Sequence, residues 1–131
     1  MANNVNQTKV ISPEVILQEN FGYSEFRPLQ KEVISHAIDG KDDLVIMPTG
    51  GGKSICFQIP GLAMQGSCLV VSPLISLMRD QVVALKQNGI KAEYLNSTLT
   101  NEEQYAIEQQ FIQGEIKILY ASPERLASHS F

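Results

Sequence analysis

Along this chain, short apolar runs alternate with stretches in which apolar residues recur every three or four positions. The apolar runs have the length of buried strands and lie at 43–47, 68–72, 92–95 and 116–120. The stretches between them have the period of amphipathic helices and cover about 53–64, 75–88 and 101–113. Strands that alternate with helices predict an α/β fold: a parallel sheet with right-handed crossovers and flanking helices.

Capping residues support the boundaries of two of these helices. Thr100 and Glu103 have the spacing of a capping box, and Gly114 is suited to end the helix that they begin. Asn88-Gly89 is a turn signal that ends the helix before it. That earlier helix has one predicted apolar face, formed by Leu74, Leu77, Met78, Val82 and Leu85.

Ahead of the first strand, the sequence predicts a flexible segment followed by two short helices. Residues 1–11 carry no helix or strand period and are expected to be a flexible terminus. Ser12-Pro13 fits an N-cap followed by a first-turn proline, and Gly22 would end this helix. Pro28 is suited to begin a second helix that ends shortly before Gly40.

Composition restricts the class of protein. The 131 residues are 44% hydrophobic and 18% charged, which is typical of one globular domain, predicted here over 12–131. The net charge of −4 argues against strong binding of nucleic acid by this chain alone, because phosphate contacts require basic residues. No apolar run approaches the roughly 20 residues of a membrane span, and a secretory signal pattern is absent, so we expect a cytoplasmic protein without a membrane partner. Cys56 and Cys68 lie in apolar surroundings and are predicted to be small buried side chains.

The stretch Met47-Pro48-Thr49-Gly50-Gly51-Gly52-Lys53-Ser54 has the pattern of a phosphate-binding loop. Consecutive glycines let successive backbone N–H groups turn toward one anion. Lys53 would reach the β- and γ-phosphates, and the Ser54 hydroxyl would bind Mg²⁺ at the positive end of the following helix. A flexible surface loop is the alternative, but a strand before and a helix after the glycines favour a nucleotide site.

A polar residue interrupts the apolar face of the second short helix. Gln30 lies on the same face as Val33, Ile34 and Ala37. A buried amide needs a hydrogen-bond partner, since leaving it unpaired costs about 1–3 kcal/mol. That partner is either the nearby backbone, which the amide would cap, or the edge of a nucleobase.

Three turns follow predicted strands at the edge of the sheet where ligands of such folds collect. They are 72–81, which begins with Ser72-Pro73, then 96–98, and 122–126, which begins with Ser122-Pro123. Each turn alone fits a plain connection from strand to helix. Together, on the edge that also carries the phosphate loop, they form a possible track for a phosphate backbone.

Taken together, these segments resemble the amino-terminal part of a RecQ-type ATP-dependent DNA helicase of superfamily 2, from about Ser12 to Phe131. Phe21-Gly22-Tyr23-x-x-Phe26-Arg27-Pro28-x-Gln30 resembles the adenine-recognition motif of that family. Residues 47–54 match its phosphate loop, in which Met47 is the usual first residue although the general pattern has glycine there. The segment 72–81 resembles motif Ia, while 96–98 and 122–126 fit its later contacts to single-stranded DNA.

The resemblance implies a P-loop NTPase with a RecA-like parallel sheet that uses ATP and Mg²⁺. It implies that Gln30 reads adenine and that Tyr23 and Arg27 pack on the faces of the base. The residues implied for the phosphates and Mg²⁺ are Thr49, Gly50, Gly51, Gly52, Lys53 and Ser54, with Lys53 catalytic and Ser54 on the metal. The implied contacts to DNA are Ser72, Leu74, Arg79, Asn96, Ser97, Ser122 and Arg125. The implied activity is ATP hydrolysis coupled to 3′-to-5′ translocation, which separates duplex DNA.

The family also carries an Asp-Glu-x-His segment downstream of the last turn and arginines on a second RecA-like domain. This sequence stops at Phe131, before either, so the domain is expected to be truncated and the 131 residues alone to be inactive as an ATPase. Two other functions remain open: a non-enzymatic nucleotide-binding module or truncated paralogue, and a P-loop kinase or small-molecule ATPase. Gln30 weakens the last, because such enzymes do not generally place an adenine-reading amide before the phosphate loop.

Overall fold

The computed structural model describes residues 11–42 and 53–127. The chain divides into two compact units, Met1–Gln65 and Gly66–Phe131. The predicted strand at 43–47 and most of the predicted flexible segment lie outside the described residues. Ile11 is described, and its backbone N–H donates to the carbonyl oxygen of Ala63 at 3.1 Å.

The first unit is built from three helices: α1 Pro13–Phe21, α2 Gln30–Ile38 and α3 Lys53–Ala63. They share one apolar core, because each helix places its apolar face toward the other two. The buried residues of this core are Ile16, Leu17, Ile34, Ile59 and Ala63, with Phe21, Phe26, Ile38, Ile55 and Leu62 packed around them. This packing fixes the beginning of α3 relative to α2.

Both short helices end where the sequence predicts, but they begin differently. Gly22 ends α1 with φ 78°. At its start, Ser12 makes no side-chain cap; its hydroxyl donates instead to Glu14 Oε1 at 3.2 Å. The prediction that Pro28 begins α2 is wrong: α2 begins at Gln30, because Leu29 has φ 73°, a left-handed conformation that cannot belong to a helix.

Leu29 is strained without an apparent packing gain, since its side chain is 60% exposed. A left-handed conformation costs an L-residue about 1–2 kcal/mol, part of which the greater freedom of glycine in the unfolded chain offsets. We therefore expect Leu29→Gly to raise the free energy of unfolding by about 0.5–1 kcal/mol, measured by urea denaturation. Leu29→Ala removes most of the exposed side chain but keeps Cβ, so it should not raise the free energy of unfolding. An equal increase in both variants would contradict backbone strain as the cause.

The second unit contains three strands and three helices. In chain order they are β1 Cys68–Val71, α4 Ile75–Gln87, β2 Ala92–Leu95, α5 Asn101–Ile112, β3 Ile118–Ala121 and α6 Pro123–Leu126. The strands form a parallel sheet in the order β1-β3-β2, so the last strand of the described chain lies in the centre. Val71 and Leu95 both pair with Ala121. All three strands therefore end at the same edge of the sheet.

Helix α4 buries three of the five apolar residues that are predicted to share one face. Met78, Val82 and Leu85 of α4 are buried. Leu74 and Leu77, expected on the same face, are 57% and 44% exposed. Leu74 lies before the helix begins, and the described part of the second unit leaves the first turn of α4 uncovered. On α5, Ile107 and Phe111 pack with Leu99 and Leu126 against a core of Leu95, Ile116, Leu119 and Ala121.

The predicted capping box of α5 is confirmed. The Glu103 N–H donates to Thr100 Oγ1 at 3.1 Å, and the Thr100 N–H donates to Glu103 Oε1 at 2.8 Å.

Thr100→Ala removes one of these two hydrogen bonds, so we expect the free energy of unfolding to fall by about 0.5–2 kcal/mol in a urea titration. Thr100→Ser keeps the acceptor and should retain most of the stability. If both variants lost the same amount, the cap would not be the cause.

Candidate functional site

Two side chains of the predicted phosphate loop lie at the beginning of α3. Lys53 is its first residue and is exposed, and Ser54 follows it and is half-buried. The first N–H groups of a helix have no partner within it and carry its positive dipole, so this position suits an anion. Thr49, Gly50, Gly51 and Gly52 lie outside the described residues.

The rest of α3 packs in the core of the first unit, and this packing fixes the position of Lys53 and Ser54 at its start. Ile59 and Ala63 are buried in the core of the first unit, and Ile55 packs against it. Cys56 is also buried, as predicted, and burial raises the pKa of its thiol, whereas Cys68, predicted to be buried too, is only half-buried at the start of β1. A helix anchored along its length presents its first turn in one orientation, as a binding site for a charged ligand requires.

Gln30 is buried at the start of α2, with 2% of its surface exposed. Its Oε1 accepts the Arg27 N–H at 2.7 Å, and its own N–H donates to the Arg27 carbonyl oxygen at 3.1 Å. The amide therefore caps the turn 27–30, which is the backbone alternative that the sequence left open. An amide oxygen has two lone pairs and an amide nitrogen has two donors, so a single hydrogen bond to the backbone does not use the full capacity of such a group.

The other two residues predicted to contact adenine are accessible. Tyr23 is 53% exposed and Arg27 is exposed. Arg27 borders an open groove of about 690 Å³ in the first unit, whose lining also includes Leu17, Phe26, Lys31 and His36. Tyr23 and Gln30 do not line this groove, so the three predicted adenine contacts do not converge on it.

The three predicted turns meet at one edge of the sheet. Ser72, Asn96 and Ser122 each follow the last residue of a strand. The Ser72 N–H donates to the Ala121 carbonyl oxygen at 3.0 Å, and the Ser122 N–H donates to the Leu95 carbonyl oxygen at 3.2 Å. Backbone bonds thus continue past the strands and hold the turns side by side.

The polar side chains at this edge shape the turns. Ser72 Oγ accepts the Leu74 N–H at 3.1 Å, and Ser122 Oγ accepts the Arg125 N–H at 3.4 Å. Both hydroxyls are therefore bound to the backbone of their own turn. Of the seven residues predicted to contact DNA, Leu74, Arg79 and Ser97 have exposed side chains.

Asn96 is fully buried and organises the middle turn. Its Oδ1 accepts the Thr98 N–H at 2.9 Å and also the Thr98 hydroxyl. Its Nδ2 donates to Met78 Sδ at 3.4 Å, which links the turn to α4. A buried amide with these partners has no exposed atom. Asn96 could therefore affect the binding of a ligand only by shaping its turn.

Arg125 differs most from its predicted role. Its guanidinium forms an ion pair with the Glu108 carboxylate of α5, and the two side chains are only 10% and 11% exposed. The sequence reasoning did not single out Glu108. A signal was present: Glu108 lies beside Ile107 and three residues before Phe111, so a charged residue occupies the face of α5 that packs on the sheet.

Among residues 11–42 and 53–127, no group of three His, Cys, Asp or Glu side chains could hold a metal ion. Mg²⁺ in nucleotide sites is often bound by one or two protein ligands together with phosphate oxygens and water. The half-buried Ser54 at the second position of α3 fits that arrangement, since it offers one hydroxyl beside the position for an anion. In the same described ranges, every helix is too short or too polar to cross a bilayer.

Comparison with known proteins identifies the relatives of this chain. The DEAD/DEAH box helicase family model matches residues 27–130. ATP-dependent DNA helicase RecQ of Haemophilus influenzae is 52% identical over 116 residues, which are 88% of this chain and 19% of that protein. RecQ of Bacillus subtilis is 49% identical over 117 residues, 88% of this chain and 20% of that protein. ATP-dependent DNA helicase Q1 of Mus musculus is 43% identical over 114 residues, 86% of this chain and 18% of that protein.

A solved structure supports the fold. The crystal structure of a hypothetical ATP-dependent RNA helicase from Sulfolobus tokodaii matches with a TM-score of 0.66 over 88% of this chain and 34% of that chain, at 24% identity. The predicted α/β fold, a RecA-like parallel sheet with flanking helices, is thereby confirmed. The chain spans about a fifth of the length of the curated relatives it matches. Its sequence is similar to those of RecQ helicases, and the chain belongs to the DEAD/DEAH box helicase family.

Proposed function

We propose that this chain is the ATP-binding, amino-terminal part of an ATP-dependent DNA helicase that moves 3′ to 5′ along one strand and separates duplex DNA. The observation that carries the proposal lies in the first unit. The helix that begins with Lys53 packs through Ile55 and Ile59 against the helix that Gln30 begins, where Ile34 is buried. The residue proposed for the phosphates and the residue proposed for the base are thus carried by two helices that share a core.

In this proposal, residues 49–54 hold the triphosphate. Lys53 neutralises charge on the β- and γ-phosphates, and that charge rises in the transition state of phosphoryl transfer. Ser54 holds Mg²⁺, which supplies further neutralisation of the phosphates when bound. Gln30, Tyr23 and Arg27 orient the base. These 131 residues contain no Asp-Glu-x-His segment, which the family resemblance implies for positioning water, so we expect this chain alone to bind ATP weakly without turnover.

DNA would lie across the carboxyl edge of the sheet in the second unit. The proposed contacts come from the three turns that contain Ser72, Leu74, Asn96, Ser97, Ser122 and Arg125, together with Arg79. Arg79 is exposed near the start of α4, so its guanidinium is free to approach a phosphate from solvent. We also propose a cytoplasmic location for the protein.

Arg79 makes a sharp test of this track. If it neutralises one phosphate, Arg79→Gln should reduce the slope of log affinity against log salt by about 0.7 for single-stranded DNA. The measurement is fluorescence anisotropy of a labelled oligothymidine at several salt concentrations. Lys91→Gln is the matched control, since Lys91 is exposed but precedes β2 at the opposite edge of the sheet. Equal salt slopes for Arg79→Gln and the unaltered protein would mean that Arg79 does not contact a DNA phosphate.

The proposed function as a whole is tested by strand separation with the intact protein that contains this chain. We expect a duplex with a 3′ single-stranded tail to be unwound in the presence of ATP and Mg²⁺, and a duplex with only a 5′ tail to remain paired. ATP hydrolysis should rise when single-stranded DNA is added. Nucleotide binding without unwinding or DNA-stimulated hydrolysis would contradict the helicase and favour the non-enzymatic module.

A further inference from the structure

The ion pair between Glu108 and Arg125 is a buried feature that the proposed DNA contacts do not explain. It joins the middle of α5 to the turn 122–126 after β3. Because both side chains are about nine-tenths buried, each charge depends on the other for compensation. A guanidinium held in this way is not presented to a phosphate in solvent.

The same turn is fastened at two further points. The Ser122 N–H donates to the Leu95 carbonyl oxygen, which ties the turn to β2. Leu126 packs with Ile107 and Phe111 of α5 over the core of the second unit. The turn is thus attached to α5 by the ion pair and by apolar packing, and to the sheet by a backbone hydrogen bond.

We propose that Glu108 and Arg125 are a positioning pair: they fix the turn 122–126 for contact with single-stranded DNA, while Arg125 itself binds no phosphate. This inference rests on the proposed function. It reverses the role that the family resemblance implies for Arg125 and gives Glu108 a role. With the Arg125 guanidinium paired to Glu108 and Glu124 exposed, the turn presents no cation to DNA from solvent, so the pair acts through the position of the turn.

The test uses four variants of the intact protein: Glu108→Met, Arg125→Met, the double Met variant, and the exchanged pair Glu108→Arg with Arg125→Glu. Each single variant leaves one buried charge uncompensated, so its melting temperature should fall, and the double Met variant should recover most of the loss. Affinity for oligothymidine, measured below the lowest melting temperature, should fall about tenfold in the single variants because the turn shifts. Its salt slope should not change. The exchanged pair should recover both melting temperature and DNA affinity.

Two results would overturn the inference. The first is a salt slope lowered by about 0.7 in every variant that lacks Arg125, which would mean that Arg125 binds a phosphate. The second is an exchanged pair that regains stability but not DNA affinity. ATP affinity, which depends on the first unit, should stay unchanged throughout. If the unaltered protein binds no single-stranded DNA, the proposed function fails, and recovery of melting temperature by the exchanged pair would still support the pairing of the two charges.

Discussion

Lys53→Ala in the intact protein is expected to lower the rate of ATP hydrolysis about 10²- to 10³-fold at saturating DNA, because it removes a preorganised positive charge from the transferred phosphate. The fold should be unaffected, since Lys53 is exposed at the first position of α3 and contributes nothing to the core of the first unit. The measurement is steady-state release of phosphate, with melting temperature recorded on the same samples.

Lys41→Ala is the matched control for this experiment. Lys41 is also exposed and lies in the first unit, but it precedes the predicted strand rather than following the glycines. Its removal changes the net charge equally and should leave hydrolysis within about twofold of the unaltered protein. Full activity in Lys53→Ala, or equal losses in the two variants, would contradict the role of Lys53.

Gln30→Ala is expected to have two separable effects. It leaves the Arg27 N–H without the acceptor that it has at 2.7 Å, so the free energy of unfolding should fall by about 1–3 kcal/mol. If Gln30 also reads adenine, affinity for ATP should fall by about tenfold or more, while affinity for GTP changes little. Both are measured on the 131-residue chain, by urea denaturation and by nucleotide competition.

The ratio of ATP to GTP affinity separates these two effects. Gln30→Glu keeps an oxygen that can accept the Arg27 N–H but loses the amide donor, and its buried carboxylate also lowers the free energy of unfolding. We expect it to lose selectivity for ATP over GTP as Gln30→Ala does. A variant series in which ATP and GTP affinities fall together, in proportion to stability, would leave Gln30 only the role of a backbone cap.

Much of this fold follows from sequence periodicity, because buried strands and amphipathic helices have different spacings of apolar residues. The boundaries of α4, β2 and α5 agree with their predictions to within a residue, and Gln30 is buried as its position on the helix face predicts. These features depend only on residues that are close together in the sequence, so the local pattern is enough to predict them.

The features that could not be predicted depend on neighbours distant in sequence or on a single backbone angle. The order β1-β3-β2 is set by packing between strands, which the sequence of each strand does not encode. Leu29 takes a left-handed conformation that its side chain disfavours. Arg125 lies in a segment that resembles a DNA-contacting motif, yet its guanidinium forms an ion pair with Glu108, 17 positions earlier in the chain.

We expect one nucleotide to span two segments of the first unit, with its phosphates at the start of α3 and its base at the start of α2. A crystal structure of the 131-residue chain with Mg²⁺ and a non-hydrolysable ATP analogue tests this placement. The triphosphate should lie against residues 50–54, with Ser54 next to the metal, and the adenine edge should lie within hydrogen-bond distance of Gln30. An analogue bound in the groove beside Lys31 and His36, or with its phosphates away from Lys53, would contradict it.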